Sequence, residues 1–203
     1  MNLRRHVVGQ FRKPHGTLGR VAGWVMSRRA SNRERNLWTL DLLEIEPGQH
    51  ILEIGFGPGF AIEQMLERFP DIHVTGIDHS DLMFRQATQR NRRSIDTGQV
   101  ELHCLPVESM DKLEGQYDRI FSSNVAQFWA DREQVFQNIR ARLKPGGRVA
   151  STYLPRNKNA TDADSLTFGE TLLQDMKAAG FETVALELGP RLPVLTVSAV
   201  GNT

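Results

Sequence analysis

The chain has 203 residues, with 25 Lys and Arg against 24 Asp and Glu, a net charge of +1 and 39% apolar residues. That length suits one domain plus an appendage, and that apolar share suits one core. No apolar run approaches the roughly 20 residues of a membrane-spanning helix. No secretory h-region follows Arg4 and Arg5, and the single cysteine, Cys104, has no partner for a disulfide or a metal site, so a cytoplasmic setting is expected.

The charge is unevenly spread. Residues 1–36 hold nine basic residues (Arg4, Arg5, Arg12, Lys13, Arg20, Arg28, Arg29, Arg33 and Arg35) and one acid, Glu34, giving +8; the remaining 16 basic and 23 acidic residues leave −7. Such an arm can bind nucleic acid, an anionic surface or an acidic substrate, or it can fold against its own acidic body. The charge pattern alone does not choose between these.

In chain order, residues 1–16 lack a clear period and contain Gly9, Pro14 and Gly16, which reads as an irregular arm. Thr17 can cap a helix over 17–30, with Leu18, Val21, Val25 and Met26 on or near one side. A second helix is expected over about 32–44, with Leu37, Leu40 and Leu43 facing inward, ended by Pro47-Gly48. Ile51, Leu52 and Ile54 then form an apolar run that reads as a buried parallel strand. A glycine turn follows, and after it an amphipathic helix with Ile62, Met65, Leu66 and Phe69 at i, i+3, i+4 and i+7.

Strands are expected next at 73–78, 100–105, 117–123 and 148–154. The helices between them start at Asp81, with Met83, Phe84 and Ala87 inward, and at Asp131, with Val135, Phe136, Ile139 and Leu143 inward. Residues 155–164 read as a loop and 165–179 as a helix closed by Gly180. Two last strands, 182–188 and 194–200, have no helix between them and should pair antiparallel. The expected fold class is α/β: a doubly wound, mostly parallel seven-stranded sheet with helices on both faces and a C-terminal antiparallel strand hairpin.

Chemistry concentrates at the strand ends. Gly55, Gly57 and Gly59 alternate behind the first strand, with Glu53 two residues before them and Phe56 between the first two. Glycine lets a ligand approach the main chain closely. The run is not the G-x-G-x-x-G of dinucleotide sites, because position 60 is Phe. The pattern E-x-G-x-G-x-G resembles the first motif of class I S-adenosylmethionine-dependent methyltransferases. Asp78-His79-Ser80-Asp81-Leu82-Met83 is similar to the family's D-x-S-x-x-M, residues 117–125 to its F-D-x-V-x-S-N-x-V, and Lys144-Pro145-Gly146-Gly147 to its L-K-P-G-G turn. Together these pieces cover about residues 48–153.

The resemblance implies S-adenosyl-L-methionine as cofactor and a set of residues around it. Glu53, Gly55, Phe56, Gly57 and Gly59 form the turn. Asp78, 23 residues after Gly55, accepts the ribose hydroxyls. His79 lines the ribose–adenine side, and Met83 packs on the adenine. Pro106 stands where the family often has an acid, which leaves adenine recognition to the Val107 backbone and Glu108. Ser122, Ser123 and Asn124 end the fourth strand beside the methyl group, followed by Gln127, Phe128 and Trp129, where many relatives carry a His pair.

No catalytic residue is assigned, because the cofactor supplies the reactive group. If a base is needed, His6, His15, His79 and Glu108 are the candidates, and no metal is implied. Ser123-Asn124-Val125-Ala126 is not the N-P-P-Y of amide and amino-nitrogen enzymes, and Cys104 is misplaced for a cytosine-C5 nucleophile.

Two divisions are expected: 1–47, a basic arm and helical lid, and 48–203, a cofactor-binding core. Phe11, Trp24, Trp38 and Trp129 would give the lid's site apolar walls, and Arg20, Arg28 or Arg29 a hold on a substrate anion. The first functional expectation is methyl transfer to a small molecule. The alternatives are a methyltransferase reaching RNA or a membrane surface through the arm, and an NAD-dependent oxidoreductase.

Overall fold

Alternating apolar strands and amphipathic helices place the site by deciding the order in which the strands lie. The computed structural model describes residues 30–203. Its strands are β1 (His50–Ile54), β2 (His73–Asp78), β3 (Val100–Cys104), β4 (Tyr117–Ser123), β5 (Leu143–Tyr153), β6 (Thr183–Arg191) and β7 (Leu195–Asn202). They form one sheet in the order β3-β2-β1-β4-β5-β7-β6. Strands β1 to β5 pair in parallel, and β7 lies antiparallel between β5 and β6. From β1 the chain winds outward to β2 and β3, then returns to the other side for β4 and β5. The carboxyl ends of β1 and β4 therefore flank a crevice at the reversal point.

The helices are α1 (Ala30–Leu42), α2 (Phe60–Arg68), α3 (Asp81–Arg90), α4 (Arg92–Asp96), α5 (Arg132–Arg142) and α6 (Asp162–Ala178). Strand side chains alternate between faces, so Ile51 and Leu52 enter different cores. Leu52, Ile54 and Ile120 pack with Val135, Phe136 and Ile139 of α5 and Leu172 and Met176 of α6. Ile51, Val74 and Phe121 pack with Leu40 of α1, Ile62 and Met65 of α2, and Met83 and Ala87 of α3. By the same alternation Glu53 shares the face of Ile51, toward α1 and α2.

Several boundaries differ from expectation, for local reasons. Helix α6 starts at Asp162 instead of 165, because Thr161 and Asp164 form a capping box: Asp164 N–H donates to Thr161 Oγ1 at 3.3 Å, and Thr161 N–H to Asp164 Oδ2 at 2.8 Å. Strand β5 starts at Leu143, which pairs with Tyr117, so the Pro-Gly-Gly turn interrupts the strand without preceding it. The last hairpin is tighter than expected, with Arg191 opposite Leu195. The short α4 and the 3-10 turns at Val107–Lys112 and Ala126–Phe128 were not anticipated. The helix expected over 17–30 lies almost wholly outside the described residues.

Candidate functional site

The turn after β1 is shaped by contacts below it and open space above it. A Cβ on Gly55 would lie 2.4 Å from Val125 Cγ1, so the backbone there can pass Val125 only without a side chain. Gly57 has φ +53°, and a Cβ built on it meets nothing within 4 Å. The open hollow beside Gly57 lets a ligand lie close against bare main chain, while the N–H groups of the turn itself are engaged: Gly55 and Phe56 donate to the Ile77 carbonyl and Gly59 to the Phe56 carbonyl. Gly59 precedes α2, and its carbonyl accepts Asn91 Nδ2–H at 3.0 Å, which ties the turn to α3. Phe56 does not enter the hollow. It is 3% exposed and packs beneath Gly76. Phe60 opens α2 and lies under the Arg90 guanidinium, 5.9 Å from ring centroid to Cζ.

Asp78 closes the other side. Its Oδ2 accepts Gly57 N–H and its Oδ1 accepts Ser80 N–H, both at 2.9 Å. A carboxylate offers about four lone-pair sites, so two remain for a ligand. Burial pushes this carboxyl up, while the Ser80 and Gly57 N–H groups pull it down. His79 is exposed, with Nδ1 3.9 Å from Asp78 Oδ1. The β3 end lies beside Asp78, since Cys104 is its register partner and Leu105 N–H donates to the Asp78 carbonyl. Pro106 and Glu108 are exposed there, and Val107 is half-buried against the core.

Beneath the turn lie two buried ionisable groups, an acid and an arginine. Glu53 is 3% exposed, and its Oε2 has no hydrogen-bond partner among the described residues. Burial first, and the Asp78 charge second, push its pKa up to about 8 against the pull of Arg35. Arg35, from α1, is 6% exposed and lowered to about 9, mainly by burial. Its Nε donates to Ser123 Oγ at 2.8 Å, Nη1 to Asn32 Oδ1 at 3.0 Å and Nη2 to Asn36 Oδ1 at 3.2 Å. Ser123 Oγ donates in turn to Asn36 Oδ1 at 2.8 Å. One turn on, Thr39 Oγ1 bonds Thr152 Oγ1 at 2.8 Å, which fastens α1 to β5.

Besides Glu53 and Phe56, two further expected residues are not on the open surface. Met83 is 2% exposed because its helical position faces the sheet, and it packs in the core. Ser122 is 2% exposed, and its hydroxyl is engaged with Ser151 Oγ at 2.8 Å, because the strand pleat turns it into the sheet. Ser123 is the serine that meets the crevice. Asn124 has φ +58°. Its side chain accepts Leu154 N–H at 2.7 Å and donates to the Leu154 carbonyl at 2.8 Å, bracing β4 against β5. Trp129 is buried edge-on to Phe136, and Phe128 is 37% exposed. His6 and His15, like Phe11, Trp24, Arg20, Arg28 and Arg29, lie outside the described residues.

A turn open at Gly57, a carboxylate with two unused lone pairs and a buried acid–arginine pair together suit a ligand that lies against bare main chain and carries a diol and a zwitterionic end. Comparison with known proteins then decides the family. A family model described as a methyltransferase domain matches residues 51–147. A Bacillus subtilis (strain 168) protein described as the uncharacterized methyltransferase YdaC is 36% identical over 185 residues, covering 90% of this chain and 97% of its own. The chain belongs to the class I S-adenosylmethionine-dependent methyltransferases.

Solved structures agree with the methyltransferase fold. The N-methyltransferase NodS of Bradyrhizobium japonicum WM9, in complex with S-adenosylhomocysteine, superposes with a TM-score of 0.68 at 20% identity, over 89% of this chain and 91% of its own. The Haemonchus contortus phosphoethanolamine N-methyltransferase 2, in complex with phosphomonomethylethanolamine and S-adenosylhomocysteine, gives 0.62 at 25% identity over 75% of this chain; the match spans 38% of that protein. S-adenosylmethionine is the cofactor of this family. The methyltransferase's own residues fit it, by the clear hollow over Gly57 and the orphaned Glu53 oxygen. In the sequence Arg35 stands only as one charge of the arm. Its signal was Arg35 and Thr39 four apart on one helical face.

Proposed function

We propose that this methyltransferase moves the methyl group of S-adenosylmethionine to a small-molecule acceptor. The observation that carries the reading is α1: Arg35 and Asn36 lie against Ser123, and Thr39 against Thr152. The first turn of α1 thus borders the end of β4, and a crevice narrowed in this way suits a small molecule better than a folded macromolecule. The phosphoethanolamine enzyme among the neighbours supports it.

In this reading Asp78 takes the ribose hydroxyls on its two remaining lone pairs, and Gly55 and Gly57 present main chain to the amino-acid part. Glu53 receives the α-ammonium and Arg35 the α-carboxylate. Val107 and Glu108 border the adenine, with His79 at its edge, while Met83 and Ser122 support from below. When bound, the sulfonium supplies a methyl group that passes in line to the acceptor's lone pair as the carbon–sulfur bond breaks. Of residues 30–47, the first turn of α1 borders this end, while Leu40 and Leu43 belong to the core on the sheet face. With the family shown, the nicotinamide-dependent alternative is set aside.

The test has two arms. Titration calorimetry with S-adenosylhomocysteine should show binding that weakens at least about tenfold in Asp78→Ala, the scale of one or two lost charge-assisted hydrogen bonds. Incubation of the full chain with methyl-labelled S-adenosylmethionine and cell fractions should put the label in the low-mass fraction. Label in RNA or lipid would transfer the assignment to the arm-mediated alternative.

A further inference from the structure

A cavity of about 260 Å³ opens beyond the cradle, between Ser31 at the start of α1, the segment after β5 and the β6–β7 turn. Pro155, Leu192 and Pro193 give it apolar walls. Both charged side chains among its described lining, Arg156 and Lys158, are cations. The volume is somewhat below the 300–1,000 Å³ of sites for drug-sized ligands, so it suits a small ring or short chain.

This cavity is linked to the crevice by bonds. Arg156 donates to Ser31 Oγ at 3.0 Å and also to Asn32 Oδ1. Asn32 Oδ1 accepts Arg35 Nη1 as well, and Arg35 holds Ser123. Arg156 also follows closely on Leu154, whose backbone is gripped at both ends by Asn124, the residue after Ser123. A row Arg156–Asn32–Arg35–Ser123 thus leads from the cavity to the end of β4. Asp162, on the adjoining helix, is committed to Leu195 N–H and to Arg191. Cations at a half-open, apolar-walled site concentrate a positive field there.

We propose that this cavity anchors the methyl acceptor, which carries a carboxylate or phosphate held by Arg156 and Lys158 and an apolar body lying against Leu192 and Pro193. The inference rests on the small-acceptor reading above and deepens it, since it names the acceptor as an amphiphilic anion. Its nucleophile extends along the row toward Ser123.

The test uses the full chain saturated with S-adenosylhomocysteine and three probes: phenyl phosphate, benzoate and the uncharged benzyl alcohol. At least one anion should bind one-to-one by calorimetry, with benzyl alcohol at least about tenfold weaker. Preference for phenyl phosphate identifies a phosphate acceptor, and preference for benzoate a carboxylate. Lys158→Gln should weaken the anion about fivefold. Leu192→Trp, which fills the cavity, should abolish its binding while S-adenosylhomocysteine affinity stays at the wild-type value. Failure of both anions to bind, equal binding of benzyl alcohol, or undiminished binding to Leu192→Trp would overturn the anchor and leave the cofactor reading standing. Failure of the wild type to bind S-adenosylhomocysteine would instead overturn the parent reading and the anchor with it.

Discussion

Arg35 and Ser123 are 88 positions apart in the chain and 2.8 Å apart in space, Nε to Oγ. This bond fixes a buried guanidinium at the end of β4, on the side of the sheet where Glu53 is buried. The bound zwitterion proposed above would be held between these two charges. Arg35→Met removes the cation while keeping much of the side-chain volume. S-adenosylhomocysteine affinity should fall about 10- to 100-fold, which is about 1.4–2.8 kcal/mol. Titration calorimetry checks this, and unchanged affinity would exclude Arg35 from the cradle.

The glycine turn separates packing from ligand access. In Gly55→Ala the new Cβ must displace Val125 at a positive φ, and Tm should drop by several degrees. In Gly57→Ala only the backbone strain applies, about 1 kcal/mol, because nothing lies within 4 Å. That methyl group projects into the hollow, so S-adenosylhomocysteine affinity should suffer more than Tm. Calorimetric melting and ligand titration of both variants give the contrast.

Glu53 should leave a pH signature. Its pKa is raised from 4.5 to about 8 by burial. The folded chain therefore holds a proton that the unfolded chain has lost, and stability contributed by Glu53 falls as pH rises from about 4.5 to about 8. Glu53→Gln should flatten that slope and be the more stable form at pH 8. Melting curves taken between pH 5 and 8 decide it.

The same carboxyl couples to the cofactor. An ammonium placed on Glu53 favours its ionised form, so binding S-adenosylhomocysteine near pH 7 should release up to one proton. Calorimetry in two buffers of different ionisation enthalpy measures the release, and Glu53→Gln should abolish it.

Thr161 tests a purely structural feature. Thr161→Ala removes the acceptor of Asp164 N–H and should cost about 1 kcal/mol, or roughly 2–4 °C in Tm. S-adenosylhomocysteine affinity should be unchanged.

Much of this architecture could be read directly. The apolar run of β1, the amphipathic spacing of α2 and the adjacency of β6 and β7 are local patterns, and they appear with small shifts at their ends. The start of α6 lies three residues before the expected one, because a Thr-x-x-Asp cap sits within a stretch whose composition reads as loop. The glycine turn and Asp78 were legible because each depends on few neighbours: a positive φ requires glycine, and a carboxylate at a strand end stands out. Met83 and Ser122 show the limit. Residue type and motif position place them near the cradle, but the face a residue presents depends on the exact helical phase or strand pleat, and both turn inward.

Residue pattern by itself determined the strand–helix alternation, the open turn at Gly57 and the acid at position 78, since hydrophobic period and backbone sterics act over a few residues. Tertiary structure alone decided that α1 packs along the sheet face with its first turn at the carboxyl end of β4. It set Arg35 against Ser123, linked Arg156 to Arg35 through Asn32, and gave Glu53 a raised pKa. Those relationships join distant parts of the chain, and their energies come from burial and mutual charge, quantities that exist only once the chain has folded.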